Sequence, residues 1–240
     1  MAERVRYCLV SDNAAERRQF HGKPIYALGQ IVCPPDAVIC LAVHEALAAE
    51  LTPVLSKRLC GGVIWVYPHL YELIYGSPLK RGERMPLATL LRRQAAQNNW
   101  ITVRYAAVRD YLRHDPRYTQ SRDIYIRAMA IHCDPITARK RLRSLERLAG
   151  SVAERGLEPD KPLLIDCSGR IIDGLHRTAL ACFLQIKVVP CDVAAVSDVY
   201  DRLLNDKNRL PEQTLLQAGF TEADMQLLRQ AKHELMKMIE

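Results

Sequence analysis

Residues 161–193 read KPLLIDCSGRIIDGLHRTALACFLQIKVVPCDV, and this stretch decides the fold class of the chain. Short apolar runs at Leu163–Asp166 and Arg170–Asp173 lie on either side of the dipeptide Ser168-Gly169. A glycine-containing dipeptide between apolar runs is typical of a tight turn that joins antiparallel strands. The centre of the stretch therefore predicts a β-hairpin.

A helix and a further strand are predicted after the hairpin. Apolar residues recur at helical spacing from about Gly174 to Leu184, and the valine-rich run Lys187–Val193 is typical of a strand. Ahead of the hairpin, apolar residues also recur at helical spacing from Arg139 until Gly156, where a glycine is a common helix stop. This series of elements predicts a compact α/β unit in the C-terminal half of the chain.

The N-terminal part of the chain predicts an α/β extension. Val5–Val10 and Val63–Tyr67 have the composition of strands, and Asp36–Leu59 predicts a largely helical segment. Turn-forming residues fill the basic stretch Gly76–Pro86, and Ile101–Leu112 fits a strand or a helix equally well.

The end of the chain predicts a helical tail. Val196–Leu204 has helical spacing, and a second helix is expected from Thr221, whose Thr-x-x-Asp start resembles a capping box. Gly219 stands at the turn before it, so the tail has the outline of a helix-turn-helix. We therefore predict three regions: an N-terminal α/β region over 1–112, the α/β unit over 113–195 and the helical segment over 196–240.

The bulk composition favours an anionic partner. The chain of 240 residues has a net charge of +7 and a pI near 9.0, which favours nucleotides, sugar phosphates, nucleic acid or acidic lipids. None of its eight cysteines forms a Cys-x-x-Cys pair, and neither a secretory signal nor a membrane-spanning run is visible. We expect a cytoplasmic protein with reduced thiols that does not enter a membrane.

The loop Asp173-Gly174-Leu175-His176-Arg177 is the candidate site for chemistry, because it lies where a strand ends and a helix begins. Backbone N–H groups in a first helical turn lack intrahelical partners, and the helix dipole is positive there, so phosphate is favoured. Gly174 lets the backbone approach a ligand, Arg177 can bind phosphate oxygens and His176 can donate a further hydrogen bond.

Each of these residues also has a purely structural interpretation. Asp173 could hold Mg²⁺ against phosphate oxygens or could simply cap the helix, while His176 and Arg177 could be ordinary surface residues. Leu175 is expected to face the core, which would leave His176 and Arg177 free for a ligand. Thr178, in the same first turn, is a further candidate contact to a nucleotide.

An arginine stripe precedes the loop. Arg139, Arg143 and Arg147 recur every four residues, so they share one face of the predicted helix. That face could meet a ligand phosphate, with Arg139 as the candidate contact to the nucleotide. It could also meet another anionic partner, or it could be a solvated helix face.

Taken together, Leu145–Val193 resembles the ParB/sulfiredoxin fold: a helix ending at Gly156, the Pro-Leu-Leu-Ile strand, the Asp-Gly-x-His-Arg loop with its helix, and a last strand containing Val-Pro. Leu175 stands where sulfiredoxins have a catalytic cysteine, which argues against sulfinic-acid reduction. The Gly82-Glu83-Arg84 tripeptide lies outside the context of the phosphate loop of the partition ParB proteins. The Asp-Gly-x-His-Arg form is similar to that of free-serine kinases and of ParB-like proteins from polysaccharide gene clusters.

The resemblance implies a kinase that uses ATP or ADP, or alternatively CTP, together with Mg²⁺ to phosphorylate a small hydroxyl compound such as an amino acid or a sugar. Asp173 and His176 would serve catalysis, with Asp173 as the metal ligand. Asp134 and Asp123 are the candidate groups for positioning the acceptor hydroxyl, although Asp134 before Pro135 is also a common turn arrangement.

Two other functions stay open at the level of sequence. The first is a ParB-like protein that binds or acts on DNA in a nucleotide-dependent way, and the second is a regulator that senses a nucleotide without turnover. Retention on DNA with a steep salt dependence would favour the first, and nucleotide binding without product would favour the second. Whether the protein forms a homo-oligomer is also open.

Overall fold

The structure is a computed structural model, and it describes residues 8–10, 19–20, 23–27, 34, 36–43, 45–58, 62–69, 72, 76–95, 99–156, 161–195 and 210–239. The chain divides into two compact units, Met1–Ile74 and Tyr75–Glu240. It is of mixed α/β class, as the sequence predicted. Among the described residues, no helix combines the length and the apolar character needed to cross a bilayer.

The first unit contains small sheets. Strands β1 (Cys8–Val10), β2 (Gln19–Phe20) and β3 (Lys23–Ala27) form a sheet in the order β1-β3-β2. Strands β4 (Ile39–Leu41) and β5 (Val63–Trp65) pair in parallel.

Helix α1 (Glu45–Arg58) connects β4 and β5, as a crossover between parallel strands requires. Leu41, Ala48 and Leu55 form its small buried cluster. The predicted helix over Asp36–Leu59 is therefore wrong in its first part, where Ile39–Leu41 pairs as a strand.

The second unit is organised around a four-stranded sheet in the order β6-β9-β7-β8. Strands β7 (Leu163–Ile165) and β8 (Ile171–Asp173) form the predicted hairpin, and β9 (Val188–Val193) runs parallel to β7. Strand β6 (Lys80–Pro86) pairs antiparallel with β9. The turn-rich interpretation of Gly76–Pro86 is therefore wrong, because the hydrogen-bonding partner of β6 lies more than a hundred residues further along the chain.

Helices surround this sheet and supply most of its core. They are α2 (Leu87–Ala95), α3 (Trp100–Leu112), α4 (Tyr118–Ala130), α5 (Pro135–Arg155), α6 (Leu175–Phe183), α7 (Glu212–Gln217) and α8 (Glu222–Met236). Helix α3 is buried along Trp100–Asp110 and contacts α4, α5, α6 and α8. A helix buried on every side lacks the apolar and polar faces that identify a helix in a sequence, which explains why Ile101–Leu112 was ambiguous.

The ends of α5 and α8 confirm two sequence signals. Gly156 follows α5 with a φ of 77°, where glycine is favoured because it has no Cβ. Thr221 and Asp224 exchange the two hydrogen bonds of a capping box at the start of α8. The helix predicted for Val196–Leu204 lies outside the described residues.

The second unit begins earlier than the α/β unit that the sequence predicted. A boundary was expected between residues 112 and 113, whereas the compact units divide after Ile74. Strand β6 completes the sheet, and α3 fills the core beneath α6. Both elements therefore belong with the candidate loop.

Candidate functional site

The candidate loop links β8 to α6 through a left-handed residue. Strand β8 ends at Asp173, Gly174 has a φ of 102° and a ψ of 18°, and α6 begins at Leu175. A Cβ built on Gly174 would lie 2.5 Å from Cδ2 of Leu163. The glycine is therefore required by its backbone conformation and by the close packing of a buried leucine, whatever a ligand requires.

Asp173 and Arg177 are bound to each other. Nη2 of Arg177 donates to Oδ2 of Asp173 at 3.1 Å, and Nη1 donates to the carbonyl oxygens of Lys161 and Pro162. The expectation that Arg177 is free for a ligand is thus corrected, because its guanidinium joins the loop to the segment ahead of β7. Asp173 is not the N-cap of α6, since Gly174 occupies that position without a side-chain cap.

His176 is held by a buried tyrosine of α4. Nε2 of His176 and the hydroxyl of Tyr125 lie 2.8 Å apart, and their rings are tilted by 38°. Tyr125 is fully buried, and burial raises its pKa to about 12. The tyrosine therefore keeps its proton. The expectation that His176 is free for a ligand is corrected, because its Nε2 is hydrogen-bonded to Tyr125.

The surroundings of His176 are positively charged. Burial, followed by the guanidinium groups of Arg104, Arg141 and Arg177, lowers the pKa of His176 to about 3. These arginines come from α3, α5 and α6. The positive charges of Arg104 and Arg141 also lower the pKa of Tyr125, although burial has the larger, opposite effect. The imidazole of His176 is neutral and adds no positive charge. The three cations around it would stabilise an anion bound there.

Leu175 and Thr178 serve the packing of α6. Leu175 is partly buried against the core, as expected. Thr178 is fully buried, and its hydroxyl donates to the carbonyl oxygen of Gly174 at 3.0 Å. The expectation that Thr178 contacts a nucleotide is corrected, because its hydroxyl already lies inside the core and tightens the first turn of the helix.

Arg139 lies on α5 and Asp134 is the N-cap of that helix, and neither takes part in the hydrogen bonds described for the loop. The positive charge of Arg141 lowers the pKa of His176. Arg139 lies about 160° from Arg141 around the helix axis, given 3.6 residues per turn. Asp134 is the N-cap of α5, where it accepts hydrogen bonds from the amide and the hydroxyl of Thr137 at 2.9 and 2.6 Å. These hydrogen bonds lower the pKa of Asp134, which makes its carboxylate a weak base.

Asp173 is the metal-ligand candidate that remains at the loop. Its carboxylate is half exposed, and the bond from Arg177 involves only Oδ2. Among the described residues, no three or more His, Cys, Asp and Glu side chains gather as a metal site. Mg²⁺ is commonly held by one or two carboxylates together with substrate phosphates, so Asp173 fits that mode and not an all-protein site.

The arrangement can bind an anion by two cooperating features. The first-turn amide groups of α6 point away from the helix without intrahelical acceptors, and the arginines add charge on the side of α3 and α5. Sequence reasoning found the loop but missed Arg104, Tyr125 and Arg141, which tertiary packing brings to it. Only Arg141 had a visible signal, its position on the flank of α5 opposite to Arg139.

Comparisons with protein-family models, with curated proteins and with solved structures find no match for this chain. The interpretation of the site therefore depends on its geometry.

Proposed function

We propose that the start of α6 binds a nucleotide through its phosphates, and that the protein transfers a phosphoryl group to a small hydroxyl compound such as an amino acid or a sugar. The observation that carries the proposal is the neutral His176, bound to Tyr125 and surrounded by Arg104, Arg141 and Arg177 at a helix N-terminus. The resemblance of Leu145–Val193 to ParB/sulfiredoxin-fold kinases of the Asp-Gly-x-His-Arg type supports the same function.

The roles of the loop residues follow from their contacts. Arg141 and the first-turn amide groups would bind phosphate oxygens, while Arg177 would hold Asp173 in place through their ion pair. Asp173 would hold Mg²⁺, whose charge offsets that of the phosphates. His176 would act as a neutral hydrogen-bonding group and not as a base, because its pKa is low.

The transfer itself requires positioning more than strong base catalysis. The terminal P–O bond of the nucleotide breaks, a new P–O bond forms to the acceptor oxygen, and the hydroxyl proton leaves for a carboxylate or for water. Asp173 is the carboxylate that directly precedes the proposed phosphate site, at the end of β8. The N-cap hydrogen bonds of Asp134 make it a weaker candidate.

A thermal-shift titration tests nucleotide binding. ATP, ADP and CTP are each added with and without Mg²⁺, and ligand binding to the folded state alone stabilises it by about 2.7 kcal/mol at a hundredfold excess over Kd. We expect Arg141→Gln to abolish most of the shift without changing the melting temperature of the free protein. Arg139→Gln is the matched control, because it removes the same charge from the opposite flank of α5.

Absence of a shift with every nucleotide at millimolar concentration would refute the proposed ligand. Turnover is tested by the release of ADP from ATP, or of AMP from ADP, in the presence of amino acids and sugars. Asp173→Asn should retain the melting temperature of the free protein and lose the Mg²⁺-dependent part of binding and transfer. Nucleotide binding without turnover for any acceptor would instead support a regulator that senses the nucleotide.

A further inference from the structure

Helix α5 has a strongly basic face that the nucleotide site does not use. Its 21 residues include six basic and two acidic side chains. At 100° per residue, four exposed cations lie within a stripe about 100° wide, opposite the buried positions of the helix. We call this set the basic stripe, and its members are Arg139, Lys140, Arg143 and Arg147.

Nearby carboxylates do not neutralise the basic stripe. The carboxylate of Glu146, on the flank of α5 beside the stripe, accepts a hydrogen bond from the hydroxyl of Tyr118 on α4. Glu154 lies on the same face as the stripe, about 10 Å beyond Arg147 along the helix axis. Asp134 is occupied by the backbone and the hydroxyl of Thr137. Within the part of the chain that the structure describes, none of the ion pairs includes a residue of the basic stripe. The helix therefore presents concentrated positive charge to solvent.

The spacing of the arginines suits a regular row of phosphates. Arg139, Arg143 and Arg147 repeat every four residues, so they are about 6 Å apart and span about 12 Å along the helix. One strand of duplex DNA carries a phosphate about every 3.4 Å along its axis, so the row covers roughly three or four phosphates. Guanidinium groups bind phosphate oxygens in a bidentate way, which favours arginine over lysine at such contacts.

The composition of the stripe disfavours other polyanions. A membrane-surface helix needs an apolar face for the lipid, but the apolar face of α5 is buried against the core. Single-stranded nucleic acid is commonly bound by aromatic stacking, and the stripe contains no aromatic side chain. Modules that bind duplex RNA span about 16 base pairs and contact two successive minor grooves, which is far more than the row of arginines about 12 Å long can reach.

We propose that the basic stripe of α5 binds the phosphate backbone of duplex DNA without reading its base sequence. This surface is distinct from the proposed nucleotide site, because Arg141 lies on the flank of α5 that acts on His176. The proposal goes beyond phosphoryl transfer and does not depend on it.

Fluorescence anisotropy with a labelled duplex of about 20 base pairs, between about 50 and 200 mM KCl, tests the proposal on the full chain. With three or four phosphate contacts, log K should fall against log salt with a slope of about −2.7 to −3.6, which is roughly a 40- to 150-fold loss of affinity over this salt range. The test variant is Arg139→Gln combined with Arg143→Gln and Arg147→Gln. It should bring the slope to between about 0 and −0.9, because Lys140 alone of the stripe remains.

The matched control removes the same charge from exposed positions on other elements, and it combines Lys57→Gln, Arg84→Gln and Arg122→Gln. It should retain the slope of the unchanged protein. Equal loss in the control would mean that net charge alone attracts DNA, and would overturn the proposal. Binding to vesicles of phosphatidylserine or to single strands, but not to duplex DNA, would overturn it as well.

The two proposals fail separately. The triple variant should keep the nucleotide-induced shift in melting temperature, and Arg141→Gln should keep DNA binding within about twofold, because it lies outside the row of phosphate contacts. Circular dichroism and the melting temperature of each variant confirm that it folds. If Arg143→Glu alone, in a folded protein, leaves the salt slope unchanged, the stripe is not the contact.

Discussion

His176 is kept neutral by burial and by the same arginines that would attract an anion. An anion bound beside it would offset the charge of Arg104 and Arg141, so ligand binding should raise the pKa of His176 towards its ordinary value. Arg177 has a more structural role than its position in the loop suggested, because it binds backbone carbonyl oxygens of the segment before β7. For this reason Arg177→Ala would confound stability with affinity, whereas Arg141→Gln separates them.

The pH dependence of stability should reveal the neutral state of His176. Its pKa is about 3 in the folded protein and about 6.5 for an unperturbed histidine, so between these pH values the unfolded chain binds a proton that the folded protein excludes. Stability should therefore fall as the pH is lowered below 6.5, by up to about 1.4 kcal/mol per pH unit. We expect His176→Gln, which keeps an amide near Tyr125, to remove this component.

Urea unfolding of the unchanged protein and of His176→Gln at several pH values between 4.5 and 7 measures the difference. The exposed His233 on α8 provides the control substitution, His233→Gln. If the stability of His176→Gln falls with pH in parallel with that of the unchanged protein, then His176 is not held neutral by its surroundings.

Gly174→Ala should destabilise the protein strongly. The substitution places a side chain at a φ of 102° and a Cβ 2.5 Å from Leu163, so we expect a loss of about 2–4 kcal/mol in the free energy of unfolding. The matched control is Gly150→Ala inside α5, where a Cβ meets nothing within 4 Å. That change should stabilise the protein by about 0.5–1 kcal/mol. Equal effects in urea unfolding would contradict the assigned loop geometry.

At the scale of elements, α5 combines three tasks on different faces. Its apolar face packs on the core, its flank brings Arg141 towards His176, and its outer face carries the basic stripe. Its N-cap residue, Asp134, was a candidate catalytic group, and a substitution pair can separate capping from chemistry.

Asp134→Ala should lower the melting temperature by roughly 2–4 °C, because it removes the acceptor for the amide of Thr137. Asp134→Asn should have little effect, since asparagine caps nearly as well. Differential scanning calorimetry measures both. A loss of phosphoryl transfer in Asp134→Asn at unchanged stability would restore Asp134 to the mechanism.

The elements that the sequence predicted are those with strong local signals. The helix ending at Gly156, the hairpin around Ser168-Gly169 and the capping box at Thr221 each depend on residues close together in the chain. Strand β6 was missed because its pattern is polar and turn-rich, and because only β9, far along the chain, makes it a strand. Local sequence carries no record of such a pairing.

Only part of the candidate site could be predicted from the sequence. The loop itself is a local motif, so its strand-to-helix position could be predicted. Tyr125 and Arg104 belong to helices that meet the loop only through tertiary packing, so no spacing in the sequence connects them with His176. The same packing explains why residues expected to be free are instead bound by neighbouring elements.

At the scale of the whole molecule, helix α8 is an integral part of the second unit. Arg109 of α3 is fully buried, and it donates to Asp110 at 2.7 Å and to Glu234 of α8 at 3.0 Å. Tyr105 also donates to Glu234 at 3.1 Å. Removing α8 would leave Arg109 with one carboxylate fewer in the core, and breaking a buried pair typically costs about 3–5 kcal/mol.

A fragment comprising residues 75–240 should therefore fold cooperatively by itself. The larger buried cluster lies entirely within it, from Leu87 to Leu235, and the four-stranded sheet and the candidate loop are complete. We expect a single transition in urea and the same nucleotide-induced shift as in the full chain, because every residue assigned to the site is included.

A fragment of residues 113–240 is the control, and it should not fold because it lacks β6 and α3. If the 113–240 fragment folds and binds nucleotide as well as the 75–240 fragment, then the core around α3 is not what positions the site.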